Sequence, residues 1–411
     1  MWKQYRELPR AVHVLCFGTL INRAGSFFVV FLTIYLSEQL GFGITFATRC
    51  MGIFGAGSIV ASLLGGHLAD HYGRRVVMLV SLFGGAAILA LFGSLQSRAT
   101  IMVAIFCYAV LINAYRPAAS AMIGDLVGPK QRPHAFGLMY VAINLGFACG
   151  AAVGGKLASY SFSLLFWGDA LTTSIYAFII LLAVAETLPA RSPLAAAVEP
   201  NGSGDSAEPT ISAGQAALHV VRDWPFVLFC TSTILVGAVF VQSFSTLPIF
   251  LQSLRIKAET YGYVISLNGL LIVLLQLPLT AVLCRFDRMK IIIVGTMTIG
   301  AGFCLNALAS HPWHFAGAVA VWTLGEMMQF PFTSAVVADL APLSLRGRYM
   351  GVFNMSFATA MMLGPPLGGE VLARLGADAL WFGGAGVAAM AVVLYILIYR
   401  PIHERRLLDD G

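Results

Sequence analysis

The sequence predicts an all-α membrane protein in which twelve transmembrane helices form two six-helix bundles related by an internal parallel repeat. Three observations predict it. Of the 411 residues, 58% are hydrophobic and only 11% charged, less than half the charged share of an ordinary soluble domain, about 25%. The apolar residues gather into stretches of about 20, the length a helix needs to cross the hydrocarbon of a bilayer. Finally, residues 115–155 recur as 329–369. Pro117 matches Pro331, Ser120 Ser334, Asp125 Asp339, Arg132 Arg346, Gly137 Gly351 and Gly150 Gly364, while Gly154-Gly155 match Gly368-Gly369, all in one gapless register.

The elements follow in order. Lys3, Arg6 and Arg10 precede an apolar run that continues to Leu36, too long for the core of a signal peptide, so the first span is expected at 11–36 and is expected to be retained. Further spans fall at 44–69, 76–95, 100–122, 135–158 and 163–187. Residues 189–222 then break the pattern: Pro, Ala, Gly, Ser and acidic residues with few large apolar groups cannot build a core. This segment reads as a flexible tether between an N-terminal bundle, 1–188, and a C-terminal bundle, 223–411. The second bundle supplies spans at 224–250, 260–283, 290–309, 314–338, 349–371 and 378–400. Of the 25 lysines and arginines, Arg23 and Arg116 fall inside spans; Arg49, Arg98, Lys156, Arg255, Lys257 and Arg374 lie on one side, and the remaining seventeen on the other. That bias predicts that the richer side, with both termini and the tether, is cytoplasmic. The net charge of +6 therefore orients the chain in lipid and implies no nucleic-acid partner. The seven cysteines stand singly in apolar surroundings, with no C-x-x-C pair. Buried free thiols are expected, with no metal site.

Polar groups at membrane depth are costly unless they meet a partner or a water-filled cavity, which makes them the candidate functional residues. Asn22 and Arg23 fall near the middle of span one, Asn113 and Arg116 in the middle to inner part of span four, and Glu326 near the middle of span ten. Helical spacing puts Trp322, Gln329 and Phe330 on the face of Glu326. A carboxylate flanked by aromatics and an amide suits recognition of an amphipathic or cationic compound, and a carboxyl can also carry a proton. An ion pair with Arg23 or Arg116 is the structural alternative. Asp169 and Glu370 lie nearer the outer surface, as secondary candidates for proton access or for helix capping. Phe27, Phe28, Phe31 and Tyr35 read as packing or lipid-facing residues. No His has an acidic or His partner three or four residues on within a span, so nothing points to an enzyme. No G-x-x-x-x-G-K-[ST] element is present for direct ATP coupling.

Two motifs remain. The loop after span two reads Gly66-His67-Leu68-Ala69-Asp70-His71-Tyr72-Gly73-Arg74-Arg75; its glycines permit a tight turn, and its carboxylate can sit at the positive end of a helix from the other half. The corresponding stretch, Leu283-Cys284-Arg285-Phe286-Asp287-Arg288-Met289-Lys290, keeps the basic charge but not the glycines, so no latch is expected there. Span five carries Gly146, Gly150, Gly154 and Gly155, and span eleven carries Gly364-Pro365-Pro366-Leu367-Gly368-Gly369, small residues at a spacing that lets another helix pack closely.

The loop resembles the signature between helices two and three of the major facilitator superfamily, with His71 where a base is usual. The glycine runs resemble the helix-five pattern of the same superfamily, associated with antiporters, with Ala151 where the first copy would have proline. The resemblance covers the whole chain. It implies a secondary transporter working by alternating access, with spans one, four, seven and ten lining a central cavity. It further implies proton-coupled export of a drug-like or amphipathic small molecule, the alternative being an importer or uniporter of a nutrient or metabolite. A latch of the outward-open state follows from it too, with Asp70 facing the start of span eleven and Arg74 facing Asp125. The implied protein is a monomer of the plasma membrane, the inner membrane in a bacterium, whose partners are its substrate, protons and lipid, with the proton gradient in place of a cofactor.

Overall fold

The computed structural model describes residues 6–128, 131–187, 220, 222–342 and 345–409, and among these there is no strand. The tether expected at 189–222 lies outside the described residues except for positions 220 and 222. Among the described residues, ten helices are long and apolar enough to cross a membrane. One of them, Gly347–Glu404, is two helices that meet at Gly376, whose φ of 89° no helix accommodates. Pro312–Leu340, a 29-residue helix made less apolar by Glu326 and Gln329, completes the expected twelve.

The N-terminal half comprises α1 (Arg10–Gln39), α2 (Ile44–Tyr72), α3 (Arg74–Phe92), α4 (Arg98–Leu126), α5 (Arg132–Tyr160) and α6 (Phe162–Ala183). The C-terminal half comprises α7 (Trp224–Ser245, continued by Leu247–Ser253), α8 (Ala258–Leu283), α9 (Arg288–Leu308), α10 (Pro312–Leu340), α11 (346–375) and α12 (377–409). The duplication runs through the whole architecture. Arg10 and Trp224, Ile44 and Ala258, Arg74 and Arg288, Arg98 and Pro312, and Arg132 and Arg346 are the first residues of equivalent helices, and each pair keeps the register of Pro117 and Pro331. Those two prolines lie inside α4 and α10, where each removes one backbone hydrogen bond at the same depth in its half.

Local chemistry sets the ends. Gly73 stops α2 at φ 105° and ψ 147°, a backbone conformation that side-chain-bearing residues rarely adopt. The Ser161 hydroxyl accepts from Ser163 N at 3.2 Å to begin α6, and Asp287 accepts from Lys290 N at 3.0 Å to begin α9. Two helices are broken. α1 leaves helical geometry between Ala24 and Phe28, and α7 is interrupted at Val241 and again at Thr246.

Packing between the halves is concentrated at one end. There Phe27, Val30, Phe31, Ile34 and Ala151 share a core with Leu247, Leu251, Tyr261 and Ile265, and the rings of Phe31 and Tyr261 stand 5.7 Å apart edge to face. Glycines bring backbones together: a Cβ on Gly155 of α5 would lie 2.9 Å from Glu259 O and 3.0 Å from Gly262 Cα of α8. Arg49 of α2 closes the rim with an ion pair to Glu370 of α11 at 2.9 Å. The opposite end is different. Its N-half core, built around Val12, Met78, Met122 and Tyr176, contains no residue of the other half. Gly66, Gly137, Gly347 and Gly351 there have nothing within 4 Å of where a side chain would begin. The halves are therefore joined at the Arg49 end and parted at the Gly73 end.

Phe27, Phe28, Phe31 and Tyr35 are all buried, so they pack and do not face lipid. The cysteines are free, but only in part buried: Cys16, Cys50 and Cys230 are, whereas Cys107, Cys149 and Cys284 are exposed. Outward-facing apolar side chains such as Val103, Trp167, Leu277 and Leu397 give the surface that lipid requires.

Candidate functional site: a charged cavity between the halves

The cleft that opens toward the Gly73 end carries three charges at mid-membrane depth. Arg116 stands about 15 Å along α4 from its inner end, at 1.5 Å per residue, and is nonetheless exposed. Arg23 of α1 lies within electrostatic reach of it; its Nε is shut off from solvent without a hydrogen-bond partner. Among the described residues neither arginine forms an ion pair. On the facing wall, Glu326 of α10 is half-buried. Its Oε2 accepts from Asn268 Nδ2 of α8 at 2.6 Å, and the same amide donates to Thr323 Oγ1 at 3.1 Å. Tyr140 of α5, 41% exposed, lies within electrostatic reach of Glu326 across the gap. One turn further along α5, Asn144 O would be 2.7 Å from a Cβ on Gly269, and this contact closes the cavity roof.

Other residues expected around these charges are placed elsewhere. Asn22 is buried against α6, its amide donating to Thr173 Oγ1 at 2.9 Å. Asn113 donates to Ser58 Oγ of α2 at 2.9 Å and so fastens two helices of one half. Trp322 and Gln329 do not flank Glu326 but lie wholly inside the C-terminal half. Trp322 stacks on Phe303 at 5.6 Å, and Gln329 Nε2 donates to Tyr395 OH of α12 at 3.5 Å. The reason is angular: at about 100° per residue these positions sit about 40–60° to one side of Glu326, enough to turn them from the cleft to the core. Phe330, rotated the other way, is only partly buried and meets Phe240 and Phe357 at 5.1 and 5.4 Å.

Asp169 is buried, 1% exposed, and caps the break in α1. Its Oδ2 accepts from Phe28 N at 3.1 Å and its Oδ1 from Thr173 Oγ1 at 3.3 Å, so a carboxylate neutralises the positive end of the resumed helix. Glu370 bridges Arg49 and Arg374, the latter at 2.8 Å. No group of three or more His, Cys, Asp or Glu that could hold a metal ion occurs among the described residues.

At the Gly73 turn, Arg74 binds Asp125 at 3.2 Å, Asp70 at 3.1 Å and Ala69 O at 3.2 Å. The Asp70 side chain is 71% exposed and its ion pair is with Arg74 of its own loop. Gly66 has open space beside it. Glu186 accepts from Arg74 N and Arg75 N, both at 3.0 Å, which caps α3 from the end of α6. In the other half Arg288 pairs with Asp339, the positions equivalent to Arg74 and Asp125, so the arginine–aspartate contact is present there without the glycines. The glycine runs are equivalent too. Gly146 and Gly150 admit the α1 backbone at Arg23 and Ala24, with Gly154 against Phe27; Gly364 admits α7 at Ala238 and Gly368 meets the Gln242 side chain. Gly155 faces α8 and Gly369 faces Thr48 of α2, while Pro365 is buried beside them and Pro366 meets Gly52. Asn268, Tyr140, Glu186 and Gln242 were not singled out by the sequence; a polar residue at mid-span is the signal that would have found Asn268.

Comparison with known proteins gives one family. The model of the Major Facilitator Superfamily matches residues 15–257 and 243–410. A Bacillus subtilis (strain 168) protein, described as the uncharacterized MFS-type transporter YttB, is 28% identical over 95% of this chain and 94% of its own. A Na(+), Li(+), K(+)/H(+) antiporter of Planococcus maritimus is 28% identical over 83% of this chain and 84% of its own. The multidrug resistance protein MdtH of Yersinia pestis (strain Pestoides F) is 23% identical over 89% and 87%. Among solved structures, a peptide transporter POT in complex with sulfate superposes with a TM-score of 0.78 at 19% identity, covering 97% of this chain and 96% of that one.

Proposed function

The chain belongs to the Major Facilitator Superfamily and is a multi-pass membrane transporter, not an enzyme; from that premise we propose that it is a proton-coupled exporter of amphipathic small molecules. The observation that carries the proposal is Glu326. A carboxyl at the middle of a membrane helix is expensive unless it is paired or works on a solute or a proton, and this one faces the cleft with an amide donor, Asn268, and, among the described residues, no arginine as its partner. In the ionised state Asn268 stabilises it; when the cleft closes and water leaves, protonation removes the cost of a buried charge. Loading and unloading a proton at Glu326 would thus bias which end of the cleft is open.

The cycle takes the two halves as rocking bodies. The bias of basic residues makes the Gly73 end cytoplasmic, so the cleft is open inward and the Arg49–Glu370 rim is the outer gate. Asp70, free of α11 with the cleft open, would meet the start of that helix when the Gly73 end closes, latching the outward-open state. The export direction draws support from the name of the multidrug resistance relative. Proton exchange draws support from that of the cation/proton antiporter.

Purified protein in liposomes with an imposed pH gradient tests the proposal. Gradient-driven transport should fall about 100-fold in Glu326→Gln, the order of magnitude for losing a proton-transfer group, with little change in melting temperature. A stable Glu326→Gln protein that still transports at the wild-type rate would reject coupling at this residue.

A further inference from the structure

The repeat allows the two walls of the cleft to be compared position by position. Arg116 is equivalent to Phe330 and Arg23 to Gly237, in the register that also pairs Pro117 with Pro331. At matched depth, therefore, one wall presents two guanidinium groups and the other an aromatic ring. Neither arginine has a carboxylate partner among the described residues. Asp169 lies within electrostatic reach of Arg23 but forms no hydrogen bond with it, its oxygens accepting from Phe28 N and Thr173 Oγ1 in the α1 break. Two like charges without an ion-pair partner on their own wall are tolerated in an open, wet cleft. They become costly when it closes, because water no longer screens them. A closing cleft therefore favours a ligand that brings the missing negative charge. Across the gap, Phe330 forms an apolar surface with Phe240 and Phe357.

We propose that the cavity binds amphipathic organic anions, the anionic group held between Arg23 and Arg116 and the apolar body laid on Phe330 and Phe357. This rests on the preceding section only in taking the cleft as the substrate site. Guanidinium groups suit the task, since their planar donors match carboxylate, sulfonate and phosphate oxygens and stay charged at any depth. Glu326 is then kept apart from the substrate charge. It stands on the opposite wall beside Asn268.

Two probes of equal ring size decide it: naphthalene-2-sulfonate and 2-naphthyltrimethylammonium, titrated against the purified full chain in nanodiscs at low and high salt. The sulfonate should bind and raise the melting temperature, the cation should not, and the sulfonate affinity should fall with salt. Arg116→Gln and Arg23→Gln should each weaken sulfonate binding roughly 10- to 100-fold, the value of a hydrogen bond to a charged group, and Arg116→Lys should recover part of it. Glu326→Gln should keep sulfonate binding while losing gradient-driven transport, which separates failure of proton coupling from failure of anion recognition. Binding of the cation in preference to the sulfonate by the wild-type protein would overturn the proposal. So would glutamine variants that melt like wild type and bind the sulfonate within twofold of it. If a variant does not fold, the ranking of the two probes on the wild-type protein still decides.

Discussion

The two halves of this protein are built on one plan and differ where charge is concerned. Arg74–Asp125 and Arg288–Asp339 are the same ion pair at equivalent positions, and α1 and α7 are both broken on the way through. In α1 the break is closed from α6 by a carboxylate, Asp169. In α7 it is closed by an amide in the helix itself: Gln242 Nε2 donates to Gly364 O at 2.8 Å, and its Oε1 accepts from Ser245 and Thr246 hydroxyls at 3.1 and 2.9 Å. In the cleft the asymmetry is sharper, since Arg23, Arg116 and Glu326 correspond to Gly237, Phe330 and Ile112. The repeated positions carry the bends and close approaches common to both bundles, whereas the unrepeated charges are the ones the proposed cycle assigns to a solute or a proton.

Removing the amide clasp should have the largest effect on stability. Gln242→Leu strips several buried hydrogen bonds from the α7 break and should cost about 3 kcal/mol, while Asp169→Asn, which keeps one acceptor, should cost about 1 kcal/mol. Thermal unfolding in detergent measures both. Equal losses would mean that the breaks are held by packing and that the polar difference between the halves is incidental. Next comes the seam. Gly155→Val drives a side chain into the α8 backbone, and Gly369→Val drives one against Thr48 of α2, whose Cβ would lie 2.6 Å from the new one. Overpacking of about 2 kcal/mol at Gly155 should shift the equilibrium away from the joined Arg49 end by about 30-fold. Maleimide labelling of a cysteine at Thr48, in a background with the native cysteines replaced, should speed up accordingly, and an unchanged rate would argue that the halves do not separate there. The smallest difference lies at the ion pairs. Arg74, with a side chain 12% exposed and three partners, should lose about 1–2 kcal/mol as Arg74→Gln. Arg288, 37% exposed, should lose under about 1 kcal/mol and less at high salt. A larger loss at Arg288 would reverse the ranking of the two loops.

Much of this was legible in the sequence because hydropathy and small-residue spacing are one-dimensional signals. The twelve spans, the gapless register and the close approaches at Gly150 and Gly364 follow from them. What spacing could not supply was azimuth. Trp322 and Gln329 share a broad helix face with Glu326, yet a rotation of about 40–60° puts them in the core, and Asn22 and Asn113 turn toward neighbours within their own half. Partnerships between distant residues were equally hidden: nothing in the local sequence brings Glu186 to the start of α3 or Asn268 to Glu326. The second-half loop was discounted because it lacks glycines, although Arg288 and Asp339 needed only their helix ends to be in register.

Rigid rocking of two halves about the cleft is best tested by spin labels at His71 and Arg348, exposed residues on α2 and α11 at the Gly73 end, with a second pair, His71 and Arg132, inside the N-terminal half. Distances are measured by pulsed electron resonance while pH is lowered and substrate is added. The His71–Arg348 distribution should gain a distinctly shorter population as the Gly73 end closes, while His71–Arg132 stays fixed. A single unchanged His71–Arg348 distance, or a His71–Arg132 distance that moves as much, would contradict alternating access by these two bodies.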